Sequence, residues 1–365
     1  MNVYVLGVAM HPGSASIDDK RLEEIVHDTA RAALDDAGIT RAEVDHVTLG
    51  GCDELDGRGI TSMLMAAPAG AYLRDEMRVT DSGLMALCMG ALRVATGRFD
   101  SGLVVSWNQT SIGSVEEVTR MRAEPFTLRP MGLNRAVTDG LFAQAVARGT
   151  GTTEAEVDAR VQRRMAAAES NPRRASGRGR HTDAGQSSGY VAYPLSGRQR
   201  APVTDGAAAL VLVSEQWLAA HPQARPIARI GGAAWGVDSY RLHGERLGSL
   251  AVYKKAFADA LTRAGLDSIA DLDAVELEAQ DGWYDAAFDQ ALSAPSKVAL
   301  SPSGGAWAQN PYFCTGLVNA VEAVLQVSGR AGAVQVKDAR RVAAHGTHGF
   351  AQQAHAVVIM ERVAA

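Results

Sequence analysis

Four stretches of this chain carry residue types able to move a proton, attack a carbonyl or grip an anion. Glu276 and Glu278 close an apolar run at 274–278, so two carboxyls fall at the end of a strand. A carboxylate in a desolvated seam has its pKa raised toward values that suit a general base; an exposed strand-end glutamate is the plainer reading. His345 and His348 flank Gly346-Thr347, a glycine-bearing turn after another strand. Either can face a site while the other serves as a structural histidine. Cys314 opens an apolar helical run, and a helix N-terminus lowers a thiol pKa. It reads as a displaced nucleophile or as a small core filler. The fourth stretch is basic, Arg163-Arg164 through Asn171-Pro172-Arg173-Arg174 to Gly177-Arg178-Gly179-Arg180-His181. Guanidinium groups bind phosphate bidentately, so it reads either as a clamp for a phosphorylated ligand or as a solvated face.

The elements that must carry these groups come in two copies. Ala33-Leu34-Asp35-Asp36-Ala37-Gly38-Ile39, followed by Val44-Asp45-His46-Val47, returns as Ala260-Leu261-Thr262-Arg263-Ala264-Gly265-Leu266, followed by Leu272-Asp273-Ala274-Val275. Ser82-Gly83-Leu84 leading to Leu92, Val94, Gly97 and Arg98 returns as Thr315-Gly316-Leu317 leading to Leu325, Val327, Gly329 and Arg330. Two matched segments in one order mean a duplicated βα half, too long for a solenoid repeat. Such a duplication sets two equivalent helix N-termini around a shared seam, where chemistry is to be sought.

Strands are predicted at 2–9, 46–50, 102–107, 207–214, 226–234, 274–278, 341–345 and 356–361, several as continuous apolar runs that suit burial on both faces. Helices predicted at 18–37 and 251–264 end at Gly38 and Gly265. Those at 82–96 and 315–328 are apolar nearly all round and therefore buried, with small residues that permit close packing. From 111 to 200 strand signal is weak, and the segment reads as an excursion packed over the core, helical near 153–169. The first half then takes 1–110 with 201–222, the inserted loop domain 111–200, and the second half 223–365.

With 365 residues and 47% hydrophobic composition, the chain can bury one large core or two fused ones. A formal charge of −5 gives no reason to expect nucleic acid as a partner. The three cysteines, Cys52, Cys88 and Cys314, are widely spaced, with no CxxC and no metal-like cluster, and suit a reducing compartment. Met1-Asn2-Val3-Tyr4-Val5-Leu6 runs straight into a strand and lacks the order of a signal peptide. No apolar run of about 18 residues is present, so no membrane span is expected. A soluble, cytoplasmic protein is the expectation.

Thr204-Asp205-Gly206-Ala207-Ala208-Ala209 before a strand and Ser301-Pro302-Ser303-Gly304-Gly305 before a buried helix, taken with the duplication, resemble the thiolase superfamily. Within it the chain is similar to the lipid-transfer-protein (SCP-x-like) thiolases. The resemblance implies an α/β, five-layered αβαβα fold, a tight homodimer, and acyl-CoA or acyl-carrier thioesters as substrates, with no further cofactor and no metal. It also locates the catalytic set. The cysteine of the family falls on Thr80 in Thr80-Asp81-Ser82-Gly83, and the histidine of its His-Asp-Ala-Phe type string on Glu278 in Glu278-Ala279-Gln280-Asp281. The histidine of Gly-His-Pro falls on Asn310 in Gln309-Asn310-Pro311, and the last loop supplies His345. Ser303, Gly304, Gly305, Trp307 and His348 are the substrate-binding residues the resemblance implies. The fold strings survive here while the usual cysteine and histidines are replaced.

On that resemblance Thr80 is an acyl acceptor or only an N-cap hydroxyl, a role Asp81 and Ser82 serve equally well. Asn310 polarises a thioester carbonyl with its amide, or is a turn residue before Pro311. Trp283, Tyr284, Trp307 and Tyr312 border the site as an acyl-chain pocket or as ordinary core aromatics. Thr80, Glu278, Asn310 and His345 are expected to converge, with Cys314 beside them. The leading expectation is an acyltransferase of lipid or secondary metabolism that forms or breaks an acyl bond without the usual cysteine. A second is a retro-aldol lyase on a β-hydroxyacyl-CoA, working with a zinc-ribbon/OB-fold partner. A third is a non-catalytic subunit of a heteromeric complex.

Overall fold

A computed structural model describes residues 2–57, 59–177 and 189–363. The first half runs β1 (Val3–Met10), α1 (Leu22–Ala37), β2 (His46–Gly51), α2 (Ser62–Met65), β3 (Asp75–Thr80), α3 (Gly83–Ala95) and β4 (Ser101–Gln109). An excursion follows with α4 (Val115–Arg122), α5 (Arg135–Thr150), α6 (Glu154–Ser170) and a small ribbon of β5 (Tyr190–Ala192) and β6 (Leu195–Ser196). The chain rejoins the main sheet in β7 (Asp205–Ser214) and continues through α7 (Glu215–Ala220). The second half runs β8 (Ala228–Val237), α8 (Gly244–Ser249), α9 (Ala251–Arg263), β9 (Ala274–Glu276), α10 (Gly282–Leu292), β10 (Ala299–Leu300), α11 (Thr315–Val327), β11 (Arg341–His348) and β12 (Ala354–Glu361). No helix among the described residues is long and apolar enough to cross a membrane.

The duplication is visible in the strand order. Ten strands lie in the order β10-β9-β11-β12-β8-β1-β7-β4-β2-β3, which reads the same from the centre outward in either direction. Pairing senses match too. β2 is parallel to β3 and β4, as β9 is to β10 and β11, while β7 and β12 run antiparallel to their neighbours. The halves join where β1 meets β8, a short antiparallel pairing of Val3 with Ile230 and Val5 with Ala228.

Burial explains the layering. α3 and α11 lie in the middle, where Leu84, Leu87, Leu317, Val321 and Val324 pack with Val104, Leu210 and Leu212 of one half and Val342, Ala344 and Val358 of the other. On one outer face α1 sets Ile25, Val26 and Ala33 on Val47, Leu49, Val105 and Val211. On the opposite face α9 and α10 set Tyr253, Phe257 and Phe288 on Val275, Ala343, Val357 and Ile359. Both faces of each half-sheet are thus covered, the reason these strands read as unbroken apolar runs. Helix α1 ends at Gly38 (φ 67°) with the Ile39 N–H on Leu34 O at 3.1 Å; α9 is followed by Gly265 (φ 69°) with the Leu266 N–H on Leu261 O at 3.0 Å. The repeated Ala-Gly-Ile/Leu string is therefore a repeated left-handed helix stop.

Three arginines of the excursion are engaged by carboxylates of the second half. Arg164 meets Asp285 at 2.8 Å, Arg173 meets Glu322 at 2.6 Å, and Arg160 pairs with Asp289. Asn171 adds its amide to Glu322 at 3.0 Å. These contacts correct the expectation of a phosphate clamp for Arg164 and Arg173, because buried carboxylates already occupy their guanidinium groups. The string from Arg178 to His181 lies outside the described residues. Besides the expected helix α6, the excursion holds α4 and α5; the end of α4 and the start of α5 frame the cavity described next.

Candidate active site

The β3–α3 corner is built by three residues with separate tasks. Thr80 pairs with Gly51 at the end of β3 and is exposed. Ser82 is the cap of α3, its Oγ accepting the Met85 N–H at 3.2 Å. Between them Asp81 takes a left-handed backbone (φ 67°) and ties its N–H to Gly51 O at 3.1 Å. Asp81, not Thr80, borders the cavity at this corner. Its carboxylate pairs with Arg122, which also holds Glu54 at 2.7 Å.

The equivalent corner before α11 carries Asn310-Pro311-Tyr312-Phe313-Cys314. Cys314 is the N-cap residue, yet its thiol is fully buried and burial pushes its pKa up to about 12. Desolvation outweighs the helix terminus, so the expected lowering is corrected: this sulfur stays a thiol. Cys52 and Cys88 are buried as well.

Glu278 and Asn310 are brought together, through a residue that spacing did not single out. Gln280 Nε2 donates to Glu278 Oε1 at 3.2 Å and to Asn310 Oδ1 at 3.1 Å, and Asn310 Nδ2 donates back to Gln280 Oε1 at 2.9 Å. Thr315 Oγ1 donates to Asn310 Oδ1 at 2.7 Å, and the Thr347 N–H to Glu278 Oε2 at 3.2 Å. Asn310 is thereby locked as an amide inside a closed network. Burial pushes Glu278 up to about 8, so at neutral pH it carries its proton. It is a neutral acid here, both oxygens accepting N–H bonds, where a base was expected.

His345 turns away from this network. Its Nε2 lies 3.0 Å from His355 Nδ1 and its ring sits among Tyr253, Phe257 and Phe288, with burial driving the pKa down to about 3. It is a neutral core histidine. His348 is half-buried and feels the charges of Asp81 and Arg122. The expected four-residue convergence is thus corrected: Thr80 stays on the surface and His345 packs on the far side of the sheet.

The Ser303–Gly305 turn serves the excursion. Ser303 Oγ donates to Glu276 Oε2 at 2.6 Å and accepts the Gly305 N–H at 3.1 Å. A side chain on Gly304 would meet Ala168 Cα of α6 at 2.5 Å, so the glycine admits that helix. Trp307 borders a separate cavity with Ala168, Pro202 and Thr204. Trp283 and Tyr284 are core, bonded to Gln199 and Asp139.

A cavity of about 220 Å³ lies over both helix corners. Asp81 and Arg122 form one wall, Arg135, Thr138 and Asp139 of α5 another, Tyr312 and Phe313 the floor, and 349–353 the far rim. The Arg135 guanidinium lies 4.5 Å over the Tyr312 ring. Burial raises the Tyr312 phenol well above its ordinary range while Arg135 opposes the rise, so Tyr312 stays a neutral phenol. Asp139 is fully engaged, with Tyr284 Oη at 2.9 Å and Arg135 and Arg200 each at 3.2 Å. Among the described residues no group of three His, Cys, Asp or Glu side chains is placed to hold a metal ion.

The buried carboxyls make stability depend on pH. Glu276 and Glu278 are both pushed up to about 8, Glu276 partly by the nearby Glu322. Between the unfolded glutamate value and 8 the native state holds protons the unfolded chain has lost, so stability falls as pH rises. Buried neutral His46, His345 and His355 act oppositely, but only below about pH 6.5, the unfolded histidine value. Burial also pushes Asp281 up to about 7, so the two glutamates dominate from about pH 7 to 8. Urea midpoints are expected to drop across that window, and Glu276→Gln with Glu278→Gln to flatten the drop. An equally steep drop in the double variant would rule these two groups out as its source.

Residues 256–362 match the family described as Thiolase C-terminal domain-like. Among solved structures the chain is similar to an Ltp2-ChsH2(DUF35) aldolase, at 18% identity over 99% of this chain and 98% of that chain, with a TM-score of 0.81. No curated protein matches. The fold is thiolase-like.

Proposed function

We propose that this chain is a lyase that cleaves the Cα–Cβ bond of a β-hydroxyacyl thioester by acid–base chemistry, with no covalent acyl intermediate. One observation carries the reading: the cavity offers a carboxylate and a phenol, while the thiol beside it is sealed in the core. Acyl transfer through Cys314 would need a thiolate that its surroundings disfavour. The likeness to an aldolase supports the lyase reading over acyl transfer.

The reaction balances without a cofactor. The β-hydroxyl gives up its proton, its O–H pair becomes the new C=O, and the Cα–Cβ bond breaks. The bond's electron pair passes to Cα and onto the thioester oxygen as an enolate. Tyr312 then delivers a proton to Cα, giving a ketone or aldehyde and a shortened acyl thioester. The aldolase it resembles is named together with a ChsH2(DUF35) component. For this chain we extend the proposal to a homodimer that works with a zinc-ribbon/OB-fold partner, which would hold the CoA outside a cavity of about 220 Å³.

The test is a panel of β-hydroxyacyl-CoA substrates, followed by chromatography and by intact-protein mass spectrometry. Equimolar carbonyl product and shortened acyl-CoA, with no mass added to the protein, is the expected result. Free CoA thiol with an acylated protein would return the chain to acyl transfer.

A further inference from the structure

Two residues that line the cavity carry a buried side-chain oxygen with no hydrogen-bond partner among the described residues: Asp81 (Oδ1) and Gln352 (Oε1). Gln352 is 7% exposed. Leaving such an atom unpaired costs about 1–3 kcal/mol. Two acceptors on one small cavity mark a place where a ligand's hydroxyl completes the bonding.

We propose that Asp81 is the general base of this site, accepting the proton of the substrate β-hydroxyl on Oδ1; this deepens the lyase reading and rests on it. The geometry divides the two carboxylate oxygens. Oδ2 is held by Arg122, itself anchored on Glu54, so the group cannot swing away. Oδ1 remains for the substrate. The other acids fail on chemistry: both oxygens of Asp139 are taken, and Glu278 already carries a proton and does not border the cavity.

The backbone supports the same assignment. A non-glycine residue in the left-handed region costs roughly 1–2 kcal/mol. Asp81 keeps that conformation with its N–H on Gly51 O, between the end of β3 and the cap at Ser82. Proton transfer to Asp81 accompanies formation of the carbonyl, cleavage of Cα–Cβ and protonation of Cα by Tyr312. Asp81 loses a proton and Tyr312 regains one between turnovers, so none is consumed.

Asp81→Asn and Asp81→Gly test the assignment on a β-hydroxyacyl-CoA that the wild type cleaves. Asparagine tolerates the left-handed backbone and keeps the shape; kcat is expected to fall about 10²–10⁴-fold, with KM within about threefold. Glycine relieves the backbone, so its Tm should stay within a few degrees of wild type while activity is lost. An Asp81→Asn protein with kcat within threefold of wild type overturns the proposal and leaves the lyase reading standing. If the wild type cleaves nothing in the panel, the lyase reading falls and calorimetry decides on Asp81 alone. The expectation there is about tenfold preference for a β-hydroxyacyl-CoA over the same acyl-CoA without the hydroxyl, lost in Asp81→Gly. Equal affinities in the wild type overturn the assignment.

Discussion

Tyr312→Phe is expected to lower kcat for carbon–carbon cleavage by about 10²–10⁴-fold, the range for loss of a positioned general acid. The substitution deletes one oxygen and keeps the ring under Arg135 at 4.5 Å, so folding should be untouched. The size of the effect follows from the acid–base mismatch without Tyr312. An enolate carbon is basic enough to take a proton from a neutral phenol, and burial keeps this phenol neutral throughout the working pH range. Cys314→Ala is the matched control, expected to leave kcat within about threefold because the thiol touches the core and not the cavity. Steady-state rates of both variants on one substrate separate the mechanisms. A Tyr312→Phe protein within tenfold of wild type would make Tyr312 a lining residue only, and loss of activity in Cys314→Ala would restore covalent catalysis.

Particular residues show why the fold was more legible than the site. The repeated glycine stops at Gly38 and Gly265 and the repeated Ser/Thr-Gly-Leu strings mark real equivalent helices. β3 escaped notice because Asp75, Glu76 and Arg78 give it no apolar run; it is the outermost strand and largely exposed. α10 hid behind Gly282, although Asp281 ahead of it is a recognisable cap that accepts the Trp283 and Tyr284 N–H groups. α5 gives no clear apolar stripe because its buried face mixes Arg135, Thr138 and Asp139 with Phe142, Ala143 and Val146. The two histidines could have been told apart by alternation along β11. His345 shares the parity of Ala343, on the outer core, whereas His348 shares that of Val342 and Ala344, on the central one. Asp81 carried no such signal. Whether a residue next to a helix start faces a cavity depends on one backbone dihedral, and a sign change at φ moved the functional group one place past Thr80. Gln280 and Arg135 are likewise products of tertiary geometry, the first joining Glu278 to Asn310 and the second reaching Tyr312 from a helix in the excursion.

The two central helices make the strongest structural prediction. Gly83 and Gly316 open α3 and α11 and face each other's neighbours reciprocally: a Cβ on Gly83 would lie 2.8 Å from Leu317 Cβ, and one on Gly316 would lie 2.9 Å from Leu84 Cβ. At Gly316 the same atom would meet Glu278 Oε2 at 2.9 Å and Gly346 Cα at 3.0 Å. Helix propensity alone favours replacing a helical glycine by alanine, by about 1 kcal/mol. At this crossing the neighbours include the buried Gly346 Cα and the Leu84 and Leu317 Cβ atoms, which have nowhere to retreat, so overpacking of about 1–3 kcal/mol outweighs that gain. Gly316→Ala is therefore expected to destabilise, and Gly316→Val to cost about 3 kcal/mol or more. Gly83→Ala should behave like its counterpart. Gly149, exposed in α5 with nothing within 4 Å of an added Cβ, supplies the opposite sign: Gly149→Ala should stabilise by about 0.5–1 kcal/mol. Denaturant unfolding of these variants separates packing from propensity, and a stabilised Gly316→Ala would mean that the two halves are not pressed together at α3 and α11. Because the same added atom presses on Glu278, loss of this crossing should also disturb the Glu278–Gln280–Asn310 network, which Thr315 Oγ1 links to the Tyr312 carbonyl at 3.3 Å, so stability and activity are expected to fall together in Gly316→Val.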